Sequence, residues 1–183
     1  MKLRLLLAVV SLLSFASLAG AVTLTIGPGF GGSPNSSDVN LGVTRTAIDL
    51  GSPASATGTV TAVHFYWSQA GCANAAKVKF FHRSGNTLTM YAERGPFTPS
   101  ANDYTTAITA VNVTQGDLIG ITRLAACGNV GAFVGITSGP YVEYGSDVGV
   151  GAVTARAGNL NGLDEPACSA MMLRWIILLD VRL

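Results

Sequence analysis

Charge is scarce in this sequence. Asp, Glu, Lys and Arg make up 11% of its 183 residues, against about 25% in a typical soluble domain. The formal net charge is +1, so there is no electrostatic footprint for nucleic acid or for an anionic membrane surface. Histidine is nearly absent: His64 and His82 are the two in the chain, which leaves few general bases of the usual kind. No G-x-S-x-G elbow occurs, and with it goes sequence support for a serine hydrolase of that type. No C-x-x-C pair occurs either, so a metal or reactive-thiol reading of the cysteines has no motif behind it.

Long apolar runs are also scarce, and the exception is at the start. Lys2 and Arg4 precede the apolar run 5–13, and Ala19-Gly20-Ala21 follows it. A charged n-region, a short h-region and an A-x-A exit form a secretory signal peptide. The sequence therefore predicts a leader over 1–21 and a domain over 22–183, placed outside the cytoplasm: secreted, periplasmic or extracellular. Losing Lys2 and Arg4 takes the formal charge from +1 to about −1. Beyond the leader, the longest apolar run is 175–179, bounded by Arg174 and Asp180. That is strand length, too short to cross a bilayer as a helix.

Cysteine is limited to Cys72, Cys127 and Cys168, all in the part expected to meet an oxidising compartment. Three thiols allow three choices of single bridge. Cys72 and Cys127 each lie in a small-residue turn just after an apolar strand, where two chain reversals can meet. The reading favours Cys72–Cys127, with Cys168 buried or paired between chains.

What is present is strand pattern and turn chemistry. Over 54–67 the second half alternates, with Thr61, Val63, Phe65 and Trp67 on one face and Val60, Ala62, His64 and Tyr66 on the other. In 77–83, Val78 and Phe80 oppose Lys77, Lys79 and Arg83, which predicts one core side and one wet side. Ser84-Gly85-Asn86 then reverses the chain into 87–92. Pro96 and Pro99 exclude 94–99 from a central strand. A hairpin is predicted over 108–122 about Thr114-Gln115-Gly116-Asp117, because Gly116 can supply the positive φ of a tight turn. Further strands are expected at 132–137, 140–144 and 150–155. The last strand places Met171, Leu173, Trp175, Ile177, Leu179, Val181 and Leu183 on one face. Met172, Ile176 and Leu178 lie on the other, so this strand must be covered on both sides.

About ten short strands with glycine-rich turns predict an all-β domain, a single antiparallel β-sandwich of jelly-roll type. The block Val111-x-Val113-x-x-Gly116-Asp117-Leu118-Ile119-Gly120-Ile121 resembles the hairpin of jelly-roll domains, including the tumour-necrosis-factor and complement C1q type. The resemblance covers about a dozen residues and implies fold only. A transmembrane barrel would carry many more charges facing its interior and would not make its longest strand apolar on both faces.

No catalytic set emerges. Paired carboxylates for glycoside hydrolysis need two acids facing one cleft. Glu93 beside Arg94 reads more simply as an ion pair, Asp117 as a turn former, and Asp164 with Glu165 as loop residues. Calcium would find its densest oxygen donors at Asn159, Asn161 and Asp164, followed by Glu165, but the spacing is not that of an EF-hand and a polar turn is the simpler reading. No other cofactor is implied. A carbohydrate platform is best placed at Tyr141 and Tyr144, which flank Glu143, since sugar faces stack on rings. The sequence thus points to a non-catalytic extracellular binding or surface-structural module able to self-associate, with a secreted glycan-active hydrolase or a lectin as alternatives. N-terminal sequencing of the exported protein is expected to begin near Val22; a product retaining Met1 would contradict the leader.

Overall fold

The computed structural model describes residues 24–27, 41–130, 141–154 and 177–178. The leader, the strand expected at 132–137, Asn159, Asn161, Asp164 and Cys168 lie outside the described residues, as does most of the last strand expected over 171–183. Within them the chain is all β, with antiparallel pairing throughout and no helix. The strands are β1 (Thr25–Ile26), β2 (Thr46–Asp49), β3 (Gly58–Tyr66), β4 (Ala76–Ser84), β5 (Thr87–Phe97), β6 (Asp103–Val113), β7 (Leu118–Arg123), β8 (Tyr141–Tyr144), β9 (Gly151–Thr154) and β10 (Ile177–Leu178).

Six of them form one sheet in the order β8-β2-β7-β4-β5-β9, while β3 pairs with β6 and β1 with β10. One face of the large sheet shares a core with β3 and β6: Ala47, Val78, Phe80, Ile119 and Ile121 cluster with Val60, Val63, Phe65, Val111 and Val113. Trp67 is fully buried in that cluster, and its indole N–H donates to the Cys127 carbonyl at 3.2 Å. Gly128 lies against the ring at φ 67°, where a Cβ would stand 2.4 Å from Trp67 Nε1. The position therefore needs glycine both for its backbone and for its contact.

The expected alternation of β3 holds for Val63, Phe65 and Trp67, but Val60 joins them in the core. A register shift between Val60 and Ala62 changes the parity of the strand. Thr109 and Ala110 lie in the irregular stretch of β6 opposite, and their carbonyls accept from Arg94 Nε and Nη2 at 2.6 and 2.8 Å.

Two further expectations are corrected. The turn at Thr114–Asp117 forms, with the Asp117 N–H donating to the Thr114 carbonyl and Gly116 at φ 92°, but β6 and β7 do not pair. The turn carries the chain from one sheet to the other, because its backbone is tied to Ala54 by Gly116 N–H to Ala54 O and Ala54 N–H to Asp117 O. The second correction concerns proline: β5 runs through Pro96 to Phe97. β9 pairs only with residues Thr87 to Met90, so the outer edge of β5 is unpaired by β9 around Pro96 and the missing N–H costs no ladder bond there.

The other face of the large sheet is the unexpected one. Ile48, Phe81, Leu88, Met90, Leu118 and Val142 form a second buried cluster together with Val148. The side of β4 expected to be wet is therefore covered, and Lys79 there is 0% exposed. The cover comes from residues 145–150, which join β8 at one edge of the sheet to β9 at the other. Flat, those edges would stand about 24 Å apart across five strand spacings, with an offset of about four residues along the strands. Tyr144 to Gly151 can reach only about 23–25 Å when fully extended. The sheet must therefore curl toward the connection, into a half-barrel.

Gly120 lets this curl close tightly. A Cβ there would meet the Ala47 carbonyl at 2.7 Å and the Phe81 ring at 3.1 Å. Gly120→Ala is expected to lose about 1–3 kcal/mol, in line with overpacking of a filled core. Urea denaturation checks this, and an unchanged midpoint would contradict it.

Candidate functional site

Two groups of polar side chains are built by the curl and the turn. The first lies under residues 145–150. Lys77 and Lys79 share one face of β4, because alternate residues of a strand point the same way. Glu93 reaches them across the β4–β5 ladder, where it is the register partner of Lys79, and Asp147 descends from the crossing connection. Lys79 Nζ donates to Glu93 Oε2 at 2.6 Å and to Asp147 Oδ1 at 2.7 Å. Lys77 Nζ reaches Glu93 Oε1 and Asp147 Oδ2, each at 3.1 Å. Each carboxylate thus spans both amines. Glu93 pairs with these lysines and not with Arg94, contrary to the sequence expectation; the Arg94 guanidinium is engaged by backbone carbonyls.

Burial alone would push both carboxyls up. The hydrogen bonds and charges of Lys79 and Lys77 outweigh it and hold Glu93 and Asp147 below the ordinary carboxylate range. The same contacts overcome burial at Lys77 and hold its ammonium charged to higher pH than usual. Thr46 completes the anchoring: its hydroxyl donates to the Ser146 carbonyl at 2.8 Å and accepts the Val148 N–H at 3.1 Å.

The second group is centred on Asp117, 4% exposed. Its Oδ2 accepts from the Thr114 N–H and the Tyr91 hydroxyl, each at 2.8 Å, and its Oδ1 lies 2.7 Å from His82 Nδ1. The His82 ring stacks on Tyr91 with centroids 4.0 Å apart. Burial, then the carboxylate, holds the Tyr91 phenol protonated far above its usual range. The Asp117 carboxylate thus faces Nδ1 of an imidazole whose ring is 52% exposed. Such a dyad can orient a base, but among the described residues no serine or cysteine is hydrogen-bonded to His82. The turn-forming role read for Asp117 accounts for its Thr114 contact. A second imidazole–carboxylate contact joins His64 Nε2 to Asp103 Oδ1 at the β3–β6 ladder.

The residues proposed from sequence for a carbohydrate platform lie on β8. Glu143 forms an ion pair with Arg45 at 2.8 Å. Tyr144 follows it on the opposite face of the strand and packs on the second core cluster. Its hydroxyl is buried with no hydrogen-bond partner among the described residues, and burial raises its pKa. Tyr141 pairs with Asp49, and its side chain is outside the described residues. Glu143 and Tyr144 therefore do not share a surface. Among the described residues no group of three or more His, Cys, Asp or Glu is placed to hold a metal. Cys72 and Cys127 are joined by a disulfide, with Cα atoms 5.5 Å apart. It ties the turn before β4 to the turn that holds Trp67.

Lys79 and Asp147 were not singled out by sequence. Lys79 reads as the polar half of an alternating strand, and nothing in the sequence around Asp147 marks it as its partner; only the crossing of the sheet brings them together. No family model matches the chain, and neither curated proteins nor solved structures give a significant match. Among the described residues no helix is long and apolar enough to cross a membrane.

Asp117→Ala would take the carboxylate acceptor from the Thr114 N–H and the half-buried Tyr91 hydroxyl, for an expected loss of about 1–3 kcal/mol, and Tyr91→Phe about 1 kcal/mol. Guanidinium unfolding of both variants checks the order; equal and negligible losses would contradict a structural hub at Asp117.

Proposed function

We propose that the protein is an exported, non-catalytic β-sandwich module of jelly-roll type with a binding or surface-structural role outside the cytoplasm. The observation that carries this reading is where the charged side chains go. Lys77, Lys79, Glu93 and Asp147 fasten a connection to the sheet; Asp117 ties a turn; Arg94 and Arg123 satisfy backbone carbonyls. A scarce supply of charge is thus engaged in holding the fold. The turn that carries the chain between sheets, and the core shared by β3, β6 and the large sheet, support the jelly-roll sandwich. The disulfide suits the expected leader and an oxidising compartment.

The glycan-hydrolase alternative draws less support. Glu93 and Asp147 do meet, but lysines hold both ionised, whereas a general acid needs a raised pKa. The apolar stretch 171–183, read from sequence as a strand apolar on both faces, is the segment proposed for self-association. Light scattering on the exported protein is expected to show a concentration-dependent dimer, and a clean monomer at high concentration would sink that part. Release of reducing ends from polysaccharide substrates would overturn the non-catalytic reading.

A further inference from the structure

From the contact of a fully buried lysine with two carboxylates, we propose that Lys79 and Asp147 are the partners of an intramolecular isopeptide bond, with Glu93 as the proton carrier. The reacting groups are already assembled: Lys79 Nζ stands 2.7 Å from Asp147 Oδ1 and 2.6 Å from Glu93 Oε2. The fold holds the amine beside the carboxyl it would attack, so the condensation is a unimolecular step between groups already brought together. Lys79 is sealed from water, so no solvent stands between its nitrogen and the two carboxylates. Asp147 is partly open to solvent, so released water has a way out. Lys77 is the second amine at the site, but it is farther from both carboxylates and more exposed.

The step balances without any co-reactant. Glu93 takes one proton from the Lys79 ammonium, and the freed Nζ lone pair attacks Cγ of Asp147. The N–C bond forms, Glu93 returns its proton to an Asp147 oxygen, and Nζ gives up a second proton to the same oxygen. The C–O bond breaks and water leaves. An ammonium and a carboxylate become a neutral amide and one water, and Glu93 ends as it began. The product removes two charges from beneath the connection and staples residues 145–150 covalently to the centre of the sheet. Burying an uncharged amide avoids the desolvation cost that a buried ion pair carries.

Mass spectrometry of the purified full chain, reduced at its disulfide, tests this directly. The expected mass is one water below that of the sequence present. Trypsin is expected to leave Lys79 uncut and to yield a branched peptide joining 78–83 to 124–156. Lys79→Arg and Glu93→Gln are each expected to restore the full mass, and the arginine keeps a cation at the site. Linear peptides from the wild type, cleaved at Lys79 and at full mass, would overturn the proposal. A branch through Lys77 would overturn the choice of amine, and a bond that persists in Glu93→Gln would overturn the role of Glu93.

Discussion

The structure depends on one connection that spans its own sheet. β8 and β9 lie at opposite edges of six strands, and residues 145–150 cross one face between them. A chain of that length cannot reach across a flat sheet, so the curl follows from the connection. The curl in turn makes a second interior, in which Phe81, Leu88, Met90 and Leu118 are buried with Val148 of the connection. Asp147, pinned on Lys79 and Lys77, and Thr46, which bonds on either side of it, hold the connection down.

A buried lysine is an unusual fastener, because taking an ammonium out of water costs several kcal/mol unless its partners are well placed. Here two carboxylates approach it within 2.7 Å, and each also engages Lys77. The geometry is selective as well as attractive. One carboxylate is fixed by the β4–β5 register, so the other can be satisfied only when the connection lies in one place. At the opposite end of the sheet Asp117 does a comparable task for the turn between sheets, with Tyr91 and His82 closing around it.

Much of the β architecture was legible because it is written locally. Alternation marks Val63, Phe65 and Trp67 as core, and Gly-Asn and Gly-Asp mark reversals at 85–86 and 116–117. What was not legible is set by distant partners. Val60 changes face because of a bulge, which leaves no period-two trace. The Gly-Asp turn looks like a hairpin, yet Ala54, some sixty residues away, turns it into a passage between sheets. Lys79 reads as solvent-facing, since nothing within β4 announces that residues 145–150 will cover it. The same limit hid the Glu93–Asp147 pair, whose members lie on separate elements. Glu143 and Tyr144 are neighbours in sequence and therefore part company on a strand.

The central claim is that residues 145–150, anchored by Asp147, hold the second face of the sheet closed. Hydrogen exchange on Asp147→Ala beside the wild type tests it most directly. The account predicts lost protection in β8, β9 and the Thr87–Met90 stretch of β5, with β3 and β6 left as in the wild type. Unchanged protection at β9, or a uniform loss over every strand, would contradict it.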